Sequence, residues 1–197
     1  MTANRHKQKG DYGERIVAAK LAHPNRGWIV NDLNKGIRNQ PRFDLLAVKD
    51  EGEPVFIRVK TCYSEVPERA QPVFGIDKGE PNFADVVARD FTIFVIMGQD
   101  ESSDRFYVVP TKEVRQTMIE RWRDYYSRPH SKHGGRKIDN GQLTLFFHPH
   151  HKCGLRPGYD LARKWSEYRD AWHLLEEEPP PRWINLPDPG RGMATQD

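Results

Sequence analysis

The sequence predicts a mixed α/β fold, a central mixed sheet flanked by helices in the order α-β-β-β-α-β-β with a C-terminal helical extension, and three observations carry it. Apolar residues recur at helical spacing early in the chain. Two β-branched and aromatic runs then flank a short polar turn containing Gly52, and an almost unbroken apolar run follows at residues 91–97.

Residues 11–22 keep a helical period, because Val17, Ala18 and Leu21 follow Glu14 at three, four and seven residues. Pro24 ends that helix, and Gly27 leads into Trp28, Ile29 and Val30, a short run of strand type. Residues 31–41 read as a polar loop. The runs 43–49 and 54–61 are separated by Asp50, Glu51, Gly52 and Glu53, a hairpin signal. Residues 77–82 read as loop, 83–89 as a short helix, and 91–97 and 105–109 as two further strands. Pro110 breaks the last strand. Thr111 is placed to cap a helix reaching about residue 127, with Val114, Met118, Trp122 and Tyr125 on its apolar side.

After a basic loop over 128–142 and a strand over 143–147, a last helix is expected over 159–175. Leu161, Trp165, Tyr168, Trp172 and Leu175 alternate spacings of four and three there, which makes one apolar seam. Either the same domain or a second copy of the chain, in a homodimer, would cover it. Residues 10–110 are therefore assigned to a core, 111–175 to elements packed on it, and 176–197 to a Pro-rich acidic tail with little core-forming power.

At 197 residues the chain suits one domain with extensions. Mean hydropathy is -0.83, yet five Trp, seven Tyr and nine Phe supply the bulk of a packed core. The longest apolar run falls far short of the roughly 20 residues needed to span a bilayer. The first residues are basic and polar without the apolar stretch of a secretory signal, and Cys62 and Cys153 make no disulfide framework, which fits a reducing cytoplasm. The net charge of +3 is uneven: Glu176, Glu177, Glu178, Asp188 and Asp197 outweigh Arg182 and Arg191, so residues 1–175 carry +6. Such an excess suits a phosphate-backbone partner.

With the hairpin centred near Gly52, Asp44 is expected opposite Lys60, and Arg58 shares the face of Lys60. An Asp facing a Lys in an apolar sheet is either a cross-strand ion pair or a metal site. In the second case the carboxylate holds Mg²⁺ or Mn²⁺, the metal acidifies a bound water, and the ammonium stabilises charge developing on phosphate. Glu14 has two readings as well. With Asp11 it forms D-x-x-E, a capping box, but it also heads the core-facing stripe and would complete an acidic pocket over Asp44 and Lys60.

The segments GDYGERIVAAKLA, RFDLLAV, EGEPVFIRVKT, DFTIFVIMG and RFYVVPTKEV, across residues 10–110, resemble the PD-(D/E)XK superfamily, related to Holliday-junction resolvases and restriction endonucleases. The resemblance implies a restriction-endonuclease-like fold, Mg²⁺-dependent hydrolysis of DNA, and a metal site formed by Glu14, Asp44 and the acid-x-Lys position at Arg58 and Lys60. The chain departs from that pattern at Arg58, where the family has an acid. A permanent cation there repels a divalent ion unless it turns toward phosphate. Glu65, five residues past Lys60, is a distant candidate for a migrated acid.

Arg128, Lys132, Arg136 and Lys137, together with Gly134 and Gly135, form either a DNA-contacting loop or a solvated basic loop, with Arg115, Arg121 and Arg123 adding charge on the preceding helix. His148, His150, His151 and Cys153 offer zinc donors, with His130 and His133 nearby in sequence, but their spacing matches no common structural zinc pattern and reads better as a polar turn. Three functional expectations follow. They are a metal-dependent deoxyribonuclease, a nucleic-acid-binding module that has lost the second acid, and an oligomeric protein whose seam is its interface.

Overall fold

The computed structural model describes residues 2–36, 43–66, 69–75, 89–126, 142–149 and 156–177. Its elements are α1 (Thr2–Leu21), β1 (Trp28–Asp32), α2 (Leu33–Gly36), β2 (Leu45–Lys49), β3 (Val55–Tyr63), β4 (Val73–Gly75), β5 (Asp90–Met97), β6 (Arg105–Pro110), α3 (Thr111–Tyr126), β7 (Gln142–Thr144) and α4 (Leu161–Lys164). The expected α/β class is the observed one. A five-stranded mixed sheet runs in the order β1-β2-β3-β5-β6, with β3 and β5 parallel and the other neighbours antiparallel, and β4 pairs with β7 in a separate two-stranded sheet.

Strand alternation sorts the core into two layers. On one face Val55, Ile57 and Val59 of β3 and Phe91, Ile93 and Val95 of β5 pack against Val17 and Leu21 of α1. On the other face Phe94, Ile96, Tyr107 and Val109 meet Val114 and Met118 of α3 together with Leu145, Phe147 and Trp165. Residues 90–96 are buried throughout because β5 is covered on both faces, which is why its sequence lacks polar alternation.

Several expectations are corrected. α1 begins at Thr2, well before residue 11, so Asp11 is inside the helix and cannot form a capping box with Glu14. The stretch expected as loop from residue 31 instead finishes β1 at Asp32 and continues into the short helix α2. Pro110 is the last residue of β6, and Thr111 does not cap α3: its hydroxyl donates to Asp90 Oδ1 at 2.6 Å. The strand expected over 143–147 pairs only at Gln142–Thr144, although Leu145 N and Phe147 N donate to Pro72 O and Ala70 O.

The β2–β3 register differs as well. Leu45 pairs with Ile57 and Ala47 with Val55, which centres the hairpin on Glu51 rather than Gly52. The turn closes early, with Gly52 N donating to Lys49 O at 3.0 Å and Asp50 in the left-handed region at φ 50. Continuing that register sets Asp44 level with Arg58, not Lys60.

The last expected helix is the largest correction. Residues 161–175 form the single α-turn of α4 and two 3₁₀ turns, Ser166–Tyr168 and Trp172–Leu175, broken at Asp170, which has φ 51. Asp170 N donates to Phe106 O at 2.9 Å, and Arg169 bridges Tyr107, so the segment is tied to the outer edge of β6. Leu161, Trp165 and Tyr168 join one core layer, whereas Trp172 and Leu175 join the other. The seam therefore wraps the sheet edge and is consumed inside the chain; all five side chains are buried. These five side chains are therefore not the face that a second copy of the chain would cover.

Candidate active site

β3 is longer than β2. Its pairing with β2 stops at Ile57, while its pairing with β5 continues to Tyr63, so Arg58 through Tyr63 border a notch where β2 has ended. α1 lies over this part of β3 at close range. A Cβ added to Gly13 would overlap the Thr61 hydroxyl, so only glycine permits the approach. The next residue, Glu14, is partly buried at the notch.

Glu14 and Asp44 are brought together by Asn34. One Nδ2 group donates to Glu14 Oε2 and to Asp44 Oδ1, each at 3.2 Å. The other Asp44 oxygen accepts from Val59 N at 2.7 Å, so that carboxylate is held at both ends. Asn34 is positioned by the exit of β1: its backbone N–H donates to Asp32 Oδ1 at 3.0 Å, an Asx-type turn that opens α2, and Leu33 N donates to Asp44 O.

Burial raises the Glu14 carboxyl above its ordinary range, the Asn34 hydrogen bond opposes this, and repulsion from Asp44, Asp32 and Asp11 adds to it. Burial also lowers the Lys60 ammonium, repulsion from Arg58 lowers it further, and attraction to Asp44 pulls the other way. Lys60 Nζ lies 5.3 Å from the centroid of the Phe74 ring, a cation–π contact that holds it from the β4 side. Arg58 is level with Thr92 of β5, and Lys60 with Phe94, so both cations rise from the same face of β3. Cys62, on that face too, has a thiol pushed up to about 12 by burial, which keeps it neutral and poorly nucleophilic near pH 7.

Asp44 is thus the common neighbour: Asn34 links it to Glu14, and its charge acts on Lys60, which lies beside Arg58 on β3. Glu65 is exposed beyond the end of β3 and is not among the charges acting on Glu14 or Lys60. Arg128, Lys132, Arg136 and Lys137 lie outside the described residues, as do His130, His133, His150, His151, Cys153, residues 83–88 of the helix expected over 83–89, and the tail from residue 178. His148 is engaged in the fold, with Nε2 3.3 Å from Gln71 Nε2 and its ring edge-on to Phe146. Among the described residues no three His, Cys, Asp or Glu side chains cluster closely enough to hold a metal ion. Arg115 and Arg121 are buried in α3, and Arg121 packs over the Tyr159 ring at 4.6 Å, so these two brace the fold.

Asn34 and Asp32 had no place in the sequence reading, because residues 31–41 looked like undifferentiated polar loop. The available signal was Asp32-x-Asn34 directly after an apolar strand, a pattern that starts a turn and aims both side chains back at the strand ends.

No protein-family model matches the chain, and no curated protein matches it. Among solved structures, a bacterial homing endonuclease is 23% identical over 86% of this chain and 91% of that chain, with a TM-score of 0.39. So low a backbone similarity carries no argument about the site, which stands on its own geometry. Among the described residues no helix is long and apolar enough to cross a membrane.

Proposed function

We propose that the chain is a divalent-cation-dependent deoxyribonuclease of the PD-(D/E)XK type, with its site at the β2–β3 notch. The observation that carries this is the bridge made by Asn34: one donor 3.2 Å from each of two carboxylates from separate elements means that both oxygens point at a common position. Mg²⁺ or Mn²⁺ fits such a position, because a hard cation takes carboxylate oxygens and completes its shell with water and substrate phosphate. Glu14 and Asp44 would hold the cation, which when bound supplies a more acidic water and charge for the phosphate oxygens.

The remaining chemistry belongs to side chains of this chain. Lys60, whose ammonium is drawn by the charge of Asp44 and lowered by burial, orients the attacking water and neutralises charge that develops on phosphorus-bound oxygen. Arg58, about two strand residues or 7 Å along the same face, binds a neighbouring phosphate. Asp44 is fixed by the Val59 N–H, so its carboxylate needs little reorganisation when substrate arrives. The basic excess of residues 1–175 favours a polyanionic substrate.

One feature favours a second reading. With Arg58 in place of an acid, the carboxylates that Asn34 bridges are Glu14 and Asp44, without a third from β3, which suits a nucleic-acid-binding module that has lost its chemistry. The deciding experiment incubates the protein with linear, single-stranded and branched DNA in Mg²⁺ or Mn²⁺, beside Asp44→Ala and Lys60→Ala. Cleavage that both substitutions abolish supports the nuclease. Metal-independent binding that falls with salt, without cleavage of any substrate, supports the module instead.

A further inference from the structure

We propose that Asn34 is the third protein group of the cation site, taking by its side-chain oxygen the place that the acid-x-Lys pattern leaves empty at Arg58. The inference rests on the assignment of Glu14 and Asp44 as cation-holding carboxylates. In the structure the Asn34 Nδ2 stands between them, donating one hydrogen to each at 3.2 Å. By these two hydrogen bonds it holds two negative charges together.

A carboxamide carries a donor and an acceptor on one carbon, so half a turn about its last torsion exchanges Nδ2 for Oδ1 at nearly the same place. Asn34 has the freedom to make that turn and the anchorage to profit from it. Its side chain is exposed, while its backbone is pinned through Asp32 Oδ1 at 3.0 Å and the first turn of α2. With Nδ2 inward the amide substitutes for a cation, and with Oδ1 inward it becomes an oxygen ligand beside Glu14 and Asp44. A neutral ligand also suits this position, since a third carboxylate would add to the repulsion already acting on Glu14.

Mn²⁺ titrated by calorimetry into the full chain, the Asp44→Ala chain, and the Asn34→Ala and Asn34→Asp chains tests this. Melting in the absence of metal is measured in parallel. Asn34→Ala should weaken Mn²⁺ binding by about tenfold or more. Asn34→Asp, nearly identical in shape, should tighten binding while lowering the metal-free melting temperature, and Mn²⁺ should restore that loss. Wild-type binding that Asp44→Ala removes but Asn34→Ala leaves unchanged would overturn this inference alone. A wild type that binds no Mn²⁺ overturns both it and the cation-holding role of Glu14 and Asp44.

Discussion

Asp44 finishes the hairpin with its side chain: Oδ2 accepts the Val59 N–H at 2.7 Å, two residues beyond the last β3 position paired with β2. The same carboxylate that faces the proposed cation therefore also satisfies a backbone donor of the sheet. Structural and chemical roles separate by substitution. Asp44→Asn keeps an acceptor for Val59 and should unfold within about 0.5 kcal/mol of wild type, whereas Asp44→Ala should cost about 1–2 kcal/mol. Both should abolish Mn²⁺ binding. Urea midpoints beside calorimetry read the two effects, and equal stability of the two variants would contradict the structural part.

Glu14 should make metal-free stability depend on pH. Its folded carboxyl pKa is raised, first by burial and then by the neighbouring carboxylates. The folded state thus binds the proton more tightly than the unfolded state does. The penalty is full above the raised value and disappears as pH falls through it and then below the ordinary carboxylate range. Glu14→Gln should melt higher than wild type at pH 8 without cation, and the gap should close at acid pH. A gap that stays constant across the titration would rule this out.

Lys60 carries the opposite shift. Its ammonium pKa is lowered by burial and then by Arg58, so the charge is lost earlier as pH rises than in an exposed lysine. If Lys60 acts as proposed, cleavage falls on the alkaline side through that lowered value. Arg58→Gln should move this limb to higher pH, while Lys60→Met should reduce the rate about a hundredfold at every pH. An alkaline limb unmoved in Arg58→Gln would assign it to another group.

Gly13 sets the distance between α1 and β3. A Cβ at that position overlaps the Thr61 side chain, including its hydroxyl, which is buried without a hydrogen-bond partner. Gly13→Ala should destabilise the fold by about 1–3 kcal/mol despite the better helix propensity of alanine. It should also weaken cation binding by lifting Glu14 away from Asp44. Thermal denaturation and Mn²⁺ titration check both effects, and a stabilised Gly13→Ala protein would show that the helix does not sit this close.

Trp165 distinguishes an internal seam from an interface. Its ring lies 5.3 Å from that of Phe94 and 5.9 Å from that of Phe147, inside the second core layer. Trp165→Ala should cost about 3–5 kcal/mol through the cavity it leaves. The loss should not depend on protein concentration. Sedimentation in which wild type dissociates and the variant does not associate would return the seam to a dimer interface.

The local elements were legible because each rests on a periodicity that neighbours in sequence determine. Val17 and Leu21 mark one face of α1, residues 90–97 have the apolar density of a strand covered twice, and Val114 and Met118 mark the buried side of α3. Glu14, Asp44, Arg58 and Lys60 also stood out in the sequence as candidates, since charged groups on core-facing positions are costly without a partner.

Tertiary structure decided the rest, because it turned on which groups compete for a backbone bond or a layer. An early turn at Asp50 moved the hairpin register and left the Val59 N–H for the Asp44 side chain. The edge of β6 captured Asp170 N and split an apparently helical seam across both faces of the sheet, since backbone pairing along an open edge outweighed local helical propensity. Asn34 acquired meaning only when β1 and β2 paired and carried it between Glu14 and Asp44, twenty and ten residues away in the chain. Sequence spacing records which side chains share a face of one element, whereas a site assembled from three elements exists only after the sheet has aligned them.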